Sequence, residues 1–170
     1  MTPARAAALV ERAWEVLAEV PDPELPAVSV RDLGIVRDVI ALVGGGVEIV
    51  LTPTYSGCPA TDVIADDVRA AVAAAGLGTP RIVLRRAPAW TTDWISAEGR
   101  RRLADAGIAP PGPAAAARPE APLRFVAPRI ACPRCGSGDT ERLSAFGATA
   151  CKALHRCRAC REPFEHFKPI

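Results

Sequence analysis

Two Cys-x-x-Cys pairs, Cys132/Cys135 and Cys157/Cys160, stand 21 residues apart near the end of this 170-residue chain. Each pair has the spacing of a tight knuckle whose backbone N–H groups can point at the two thiolates. Two knuckles brought together give four sulfurs in a tetrahedron, an arrangement that suits Zn²⁺. An iron–sulfur cluster or disulfides would use the same residues, and those readings stay open at this point. A segment this short cannot fold on apolar burial alone, so a metal supplies the missing stability. The pattern therefore predicts a small zinc ribbon over residues 124–170. Phe146, Phe164 and Phe167 are expected to supply its core and contact surface. Cys151 lies between the pairs and reads as a small buried hydrophobe or as an alternative ligand. His155 and His166 are not needed to complete a four-cysteine site.

Ahead of the ribbon, residues 108–122 read IAPPGPAAAARPEAP, a composition that cannot build a core, and a linker over 109–123 is expected. Residues 1–108 hold hydrophobic periodicity in the order α-β-β-α-β-α. A helix over 4–20 carries Leu9, Val10, Ala13, Trp14 and Leu17 at helical spacing. Ile35–Val43 and Val47–Leu51 flank a Gly44-Gly45-Gly46 turn as a hairpin. A second helix starting near Pro59, with Val63, Ile64, Val68 and Val72 as its stripe, precedes a strand over 81–86 and a helix over 96–106. This order fits an α+β fold, a small two-layer domain with helices against a mixed sheet.

Charge follows the same division. Residues 1–108 carry 11 Lys/Arg against 14 Asp/Glu, and residues 109–170 carry 10 against 5. The basic tail suits an acidic protein partner better than nucleic acid, because no basic run is interleaved with aromatics. Glu11, Glu15 and Glu19 interrupt any apolar leader, and no run reaches the length of a membrane span. A cytoplasmic protein without a membrane anchor is expected.

Cys58 stands alone where the second helix begins. Helix amide dipoles there would lower a thiol pKa. A buried structural cysteine, a metal- or cluster-handling thiol and a nucleophile are all compatible with its position. The third lacks a base, since both histidines lie in the tail. Asp22 and Glu24 in DPE, and Asp32, either cap turns or approach Cys58. Trp90 and Trp94 read as core and interface aromatics. No nucleotide-binding or metalloprotease motif is present.

The stretches DPELPAVSVRDLGIV (22–36), LTPTYSGCPATDVI (51–64) and PAW (88–90) resemble the MIP18 family, also called domain of unknown function 59. With the tail stretches CPRCGS (132–137), FGATACKALHRC (146–157) and CREPFEHFK (160–168), the whole chain resembles the PaaD (PaaJ) subunits of the phenylacetate-CoA oxygenase, or 1,2-phenylacetyl-CoA epoxidase, system. The resemblance implies an iron–sulfur cluster assembly domain followed by a zinc ribbon, acting in aerobic phenylacetate degradation. It implies an accessory or maturation role without catalysis of its own, assisting cluster or metal assembly. The implied partners are the oxygenase subunits, the flavin reductase with its [2Fe-2S] centre, iron–sulfur assembly proteins and a second copy of the chain. It places the functional thiol on Cys58, the family's acids on Asp22 and Glu24, and the zinc on Cys132, Cys135, Cys157 and Cys160. Besides structural Zn²⁺, a transient cluster or iron is expected. The alternatives are a structural docking subunit and a nucleic-acid-binding ribbon.

Overall fold

The computed structural model describes residues 2–55, 57–112 and 129–170. Most of the expected linker, 113–123, and the first residues of the expected ribbon domain, 124–128, lie outside the described residues. The chain divides into two compact units, Met1–Gly99 and Arg100–Ile170.

In the first unit, α1 (Pro3–Ala18) opens with the Thr2 side chain capping the Arg5 N–H and proline in the first turn. Ala13 and Leu17 are its buried residues. Strand β1 (Val36–Ala41) pairs antiparallel with β2 (Val47–Leu51), which pairs in parallel with β3 (Arg81–Leu84). The resulting sheet has the order β1-β2-β3, and every residue of the central β2 is buried. Helix α1 packs on β1, β2 and the second helix, α2 (Thr61–Ala74). The crossover from β2 to β3 runs through α2, as a parallel pair requires. A short 3₁₀ turn (Thr92–Trp94) leads to α3 (Ala97–Asp105), which runs across the division between the units. The expected α-β-β-α-β-α order is present.

Two expectations need correction. Helix α2 starts at Thr61, so Pro59 lies in the turn before it, and Ala60 at the cap makes no side-chain bond. Val63 is exposed at 48%; Ala65 joins Ile64, Val68 and Val72 on the buried face instead. Starting the helix at Thr61 puts that residue's side chain on the Cys58 carbonyl at 2.8 Å, which closes the preceding turn.

The segment 20–35, which leads from α1 to β1, is largely buried. Val20, Leu25, Val28, Val30, Leu33 and Ile35 are all buried in it without helical or strand periodicity. Asp32 ties it down: its carboxylate accepts from Ser29 Oγ (3.1 Å) and Ser96 Oγ (2.8 Å), and its carbonyl accepts from the Ser96 N–H (2.8 Å). Trp90 is buried and its indole N–H donates to the Leu33 carbonyl at 3.0 Å. Trp94 carries the Arg37 guanidinium 3.5 Å from its ring centroid.

The second unit is a four-stranded sheet in the order β4-β7-β6-β5. Its strands are β4 (Ile108–Ala109), β5 (Thr140–Ser144), β6 (Lys152–Cys157) and β7 (Pro163–Phe167). Strand β4 runs parallel to β7, so Ala109, at the head of the expected linker, sits in the ribbon sheet. The apolar core is small: Ala109, Cys132, Cys157 and Phe164, with Ile130 packed against it. Phe167 is fully buried, but Phe146 is 65% exposed, with the Lys168 ammonium 4.5 Å from its ring centroid. Of the three phenylalanines expected to supply core and contact surface, Phe146 is the one that faces solvent.

Candidate metal centre and thiol loop

The two knuckles are built alike. In the first, the Gly136 N–H donates to the Cys132 carbonyl at 2.8 Å and the Cys132 N–H to the Ser137 carbonyl at 2.9 Å. In the second, the Cys157 N–H donates to the Glu162 carbonyl at 2.9 Å. The residue after each second cysteine takes a left-handed backbone: Gly136 at φ 74° and Arg161 at φ 67°. Glycine adopts this conformation freely and arginine does not, so the second knuckle is held against a local cost.

These turns bring Cys132, Cys135, Cys157 and Cys160 together, with all four sulfurs within 4.8 Å of one another. Cys132 Sγ lies 3.8 Å from Cys160 Sγ, and Cys135 Sγ 3.6 Å from Cys157 Sγ. A tetrahedron with Zn–S of about 2.3 Å spaces its sulfurs about 3.8 Å apart. A disulfide would require about 2.05 Å. The group thus fits a four-thiolate metal site and not disulfides. Cys132 and Cys157 are buried; Cys135 and Cys160 are exposed. The Cys160 N–H points at Cys157 Sγ (3.5 Å) and holds that thiol down at about 7. The Ser137 N–H also lowers Cys135, but hydrogen bonding to the Cys157 and Cys160 sulfurs pushes it up to about 12. Four thiols this close ionise together only around a cation.

Cys151 lies outside this group. It is buried, with the Thr149 hydroxyl 3.0 Å from its sulfur, and its carbonyl accepts from the Lys168 N–H at 2.9 Å. His155 and His166 are likewise outside the four-sulfur group and are buried on the sheet. Beside Cys151, Lys152 makes a 2.6 Å ion pair with Glu165 and is only 5% exposed. Burial works against the ionised Glu165, but the hydrogen bonds from Lys152 and the Ala148 N–H outweigh it and hold the carboxyl below its ordinary range.

In the first unit, Cys58 occupies the loop between β2 and α2. Its N–H donates to the Tyr55 carbonyl (3.2 Å), and its carbonyl accepts from the Thr61 N–H (3.3 Å). The thiol is partly exposed. Its pKa is raised, contrary to the helix-dipole expectation. Burial is the main cause, and the charges of Glu24 and Asp22 add to it; hydrogen bonds from Ala60 and Thr61 only partly offset them. With α2 starting three residues later, Cys58 lies outside the amide array that would have favoured a thiolate. Both DPE acids bear on the thiol through their charge, Glu24 ahead of Asp22. Asp22 is buried and also caps its own loop, its Oδ1 accepting from the Glu24 and Leu25 N–H groups at 2.9 Å each. Asp32, with its carboxylate held by Ser29 and Ser96, has a structural place instead.

A raised pKa keeps Cys58 a neutral thiol at pH 7. Its alkylation rate in the zinc-loaded protein should therefore rise through a midpoint above the ordinary thiol value of about 8.5. In Glu24→Gln that midpoint should fall, because one repelling charge is gone. A pH–rate profile with iodoacetamide, with the labelled residue identified by mass spectrometry, checks both; a midpoint that is unchanged in the variant would contradict the coupling.

Residues 11–79 match the family described as "Iron-sulfur cluster assembly protein", and residues 116–168 match the "PaaD zinc beta ribbon domain". A protein of Escherichia coli K12 named as a subunit of 1,2-phenylacetyl-CoA epoxidase is 46% identical over 161 residues, covering 95% of this chain and 93% of that protein. An Fe-S protein maturation auxiliary factor of Porphyromonas gingivalis is 38% identical over 89 residues, covering 52% of this chain and 84% of its own. The crystal structure of a DUF59 domain from Bacillus anthracis superposes with a TM-score of 0.56 at 26% identity, covering 60% of this chain and 97% of that one. No helix among the described residues is long and apolar enough to cross a membrane. With an iron–sulfur assembly domain followed by a four-cysteine zinc ribbon, and with near full-length similarity to the Escherichia coli protein, the chain belongs to the PaaD family.

Proposed function

We propose that this chain is a non-catalytic accessory subunit of a phenylacetyl-CoA epoxidase system in aerobic phenylacetate degradation. In this reading it assists iron–sulfur cluster or metal assembly of the reductase or oxygenase. The observation that carries the reading is the partly exposed Cys58 thiol under the charges of Glu24 and Asp22, within a domain of the iron–sulfur assembly family. Cys132, Cys135, Cys157 and Cys160 hold a permanent zinc, and Cys58 handles the cargo.

The raised pKa of Cys58 suits transient holding. A thiolate must form to bind iron, and a thiol that prefers its proton gives the metal up readily, taking a proton as the metal leaves. The carboxylates of Asp22 and Glu24 favour an incoming cation while they disfavour the bare thiolate. One thiolate fills one ligand position of a cluster that needs four. The others must come from the client, an assembly protein or a second copy.

The test is metal and acid-labile sulfide analysis of anaerobically purified wild type and Cys58→Ala, together with epoxidase activity in cells carrying each. Both proteins should hold about one zinc per chain. Iron and sulfide should appear in the wild type alone, and the variant should lose epoxidase activity while remaining folded. Full activity with Cys58→Ala would overturn the cargo role and leave a docking subunit as the reading.

A further inference from the structure

The ribbon sheet has a second polar site that the four-cysteine centre does not use. The register places Arg142 opposite His155 on β5 and β6, and Ala153 opposite His166 on β6 and β7. Strand alternation then puts Thr140, Arg142, His155 and His166 on one face. Thr140, Arg142, His155, His166, Lys168 and Ile130 line a pocket of about 570 Å³ there.

Three observations make this pocket a built site. First, His155 and His166 are 8% and 4% exposed, with ring centroids 5.4 Å apart in an edge-on arrangement. His155 Nδ1 and His166 Nε2 are buried without a hydrogen-bond partner among the described residues. A buried polar atom left unpaired costs about 1–3 kcal/mol, and most such atoms in folded proteins have a partner. Second, the cations at the pocket pair with no acidic side chain among the described residues. The acidic side chains of residues 129–170 are committed elsewhere: Asp139 and Glu141 to Arg158, Glu141 also to Arg156, Glu162 to Arg134, and Glu165 to Lys152. Arg142 and Lys168 have no acidic partner among the described residues. The Lys168 ammonium only donates to the Ala145 carbonyl at 3.2 Å and rests on the Phe146 ring. Third, two adjacent cations disfavour a metal ion and favour its opposite. A ring nitrogen that carries its proton can donate it to such a ligand.

We propose that this pocket binds a small oxyanion, a carboxylate or a phosphate group, through the Arg142 guanidinium, the Lys168 ammonium and ring N–H groups of His155 and His166. A guanidinium supplies a fork that matches two oxygens of either group, and an ammonium adds a point charge. The site is separate from Cys58 and stands whether or not the cargo role does.

The chain has two histidines, so every imidazole signal reports on this pocket. Inorganic phosphate and, separately, acetate are titrated into the zinc-loaded full-length protein while the histidine ring nitrogens are followed by NMR, with chloride at matched ionic strength as control. The expected result is a saturable shift of both rings with phosphate, acetate or both; which anion saturates identifies the preferred oxyanion. Arg142→Gln/Lys168→Gln should weaken that binding about tenfold or more. Arg156→Gln, which removes a charge from the opposite face, should leave it intact. Zinc content and a dispersed spectrum establish that each variant is folded. Rings that shift no more with phosphate and acetate than with chloride, or a saturable shift that the double variant keeps at wild-type affinity, would overturn the proposal.

Discussion

Cys157→Ser should empty the ribbon of zinc and unfold it, whereas Cys151→Ser should do neither. Both cysteines are buried and lie six residues apart, Cys151 just before β6 and Cys157 at its end, so burial and sequence position do not separate them. Membership in the four-sulfur group does. Cys157 is fully buried at the centre of a core otherwise made of Ala109, Cys132, Phe164 and Ile130. That core is too small to offset the conformational entropy of ordering the segment. Structural zinc supplies on the order of 10–16 kcal/mol in comparable small modules at neutral pH, and losing one thiolate removes most of it. Zinc per chain should fall from about one to near zero. The NMR signals of residues 129–170 should collapse towards random-coil values. Cys151→Ser exchanges a buried sulfur for a hydroxyl within reach of Thr149 and should cost about 1–2 kcal/mol with zinc content unchanged. Loss of zinc from Cys151→Ser would make Cys151 a ligand and would displace the assignment of the four sulfurs.

In the first unit, Gly34→Ala should destabilise by roughly 3 kcal/mol, combining a conformational and a steric cost. Gly34 has φ 70°, where an L side chain is disfavoured by about 1–2 kcal/mol. A Cβ there would also sit 2.6 Å from the Trp94 carbonyl oxygen and 2.7 Å from Trp94 Cβ. Relief would require moving the segment that Asp32 holds through Ser96. Gly45→Ala is the control: its φ is 95°, but a Cβ would meet nothing within 4 Å. It should cost only the conformational part, about 1–2 kcal/mol. All three tryptophans, Trp14, Trp90 and Trp94, lie in residues 1–99, so tryptophan fluorescence during urea unfolding reports on this unit alone. Equal losses for the two variants would remove the close approach to Trp94 as a determinant of the fold.

The helices and strands of residues 1–106 were legible through their hydrophobic period, whereas the ribbon strands were not read individually. The limits of β2, Val47–Leu51, follow from a glycine turn before it and Thr52-Pro53 after it. The segment 20–35 was not legible, because its six buried apolar residues follow no period and are placed by contacts rather than repeats. Phe146 was read together with Phe164 and Phe167 as core and contact surface, and the sequence did not say which residue took which place. Register and turn geometry leave Phe146 on the surface, with the chain packed so closely there that a Cβ on Gly147 would meet Glu165 at 2.5 Å. The direction of the Cys58 shift went the other way because it depends on where the helix starts and on two acids more than 30 residues upstream. A local reading of the loop contains neither.

Sequence by itself determined the four-cysteine group. A Cys-x-x-Cys pair can close a knuckle through contacts within a few residues, and two such pairs leave little freedom in how a short ribbon saturates its thiolates. It also determined the order of the elements, through hydrophobic period. Tertiary structure alone decided which groups meet across the chain: Asp22 and Glu24 acting on Cys58, Asp32 bridging Ser29 and Ser96, and two histidines, an arginine and a lysine around one pocket. Those encounters depend on strand register and loop packing over long separations, which no local spacing encodes.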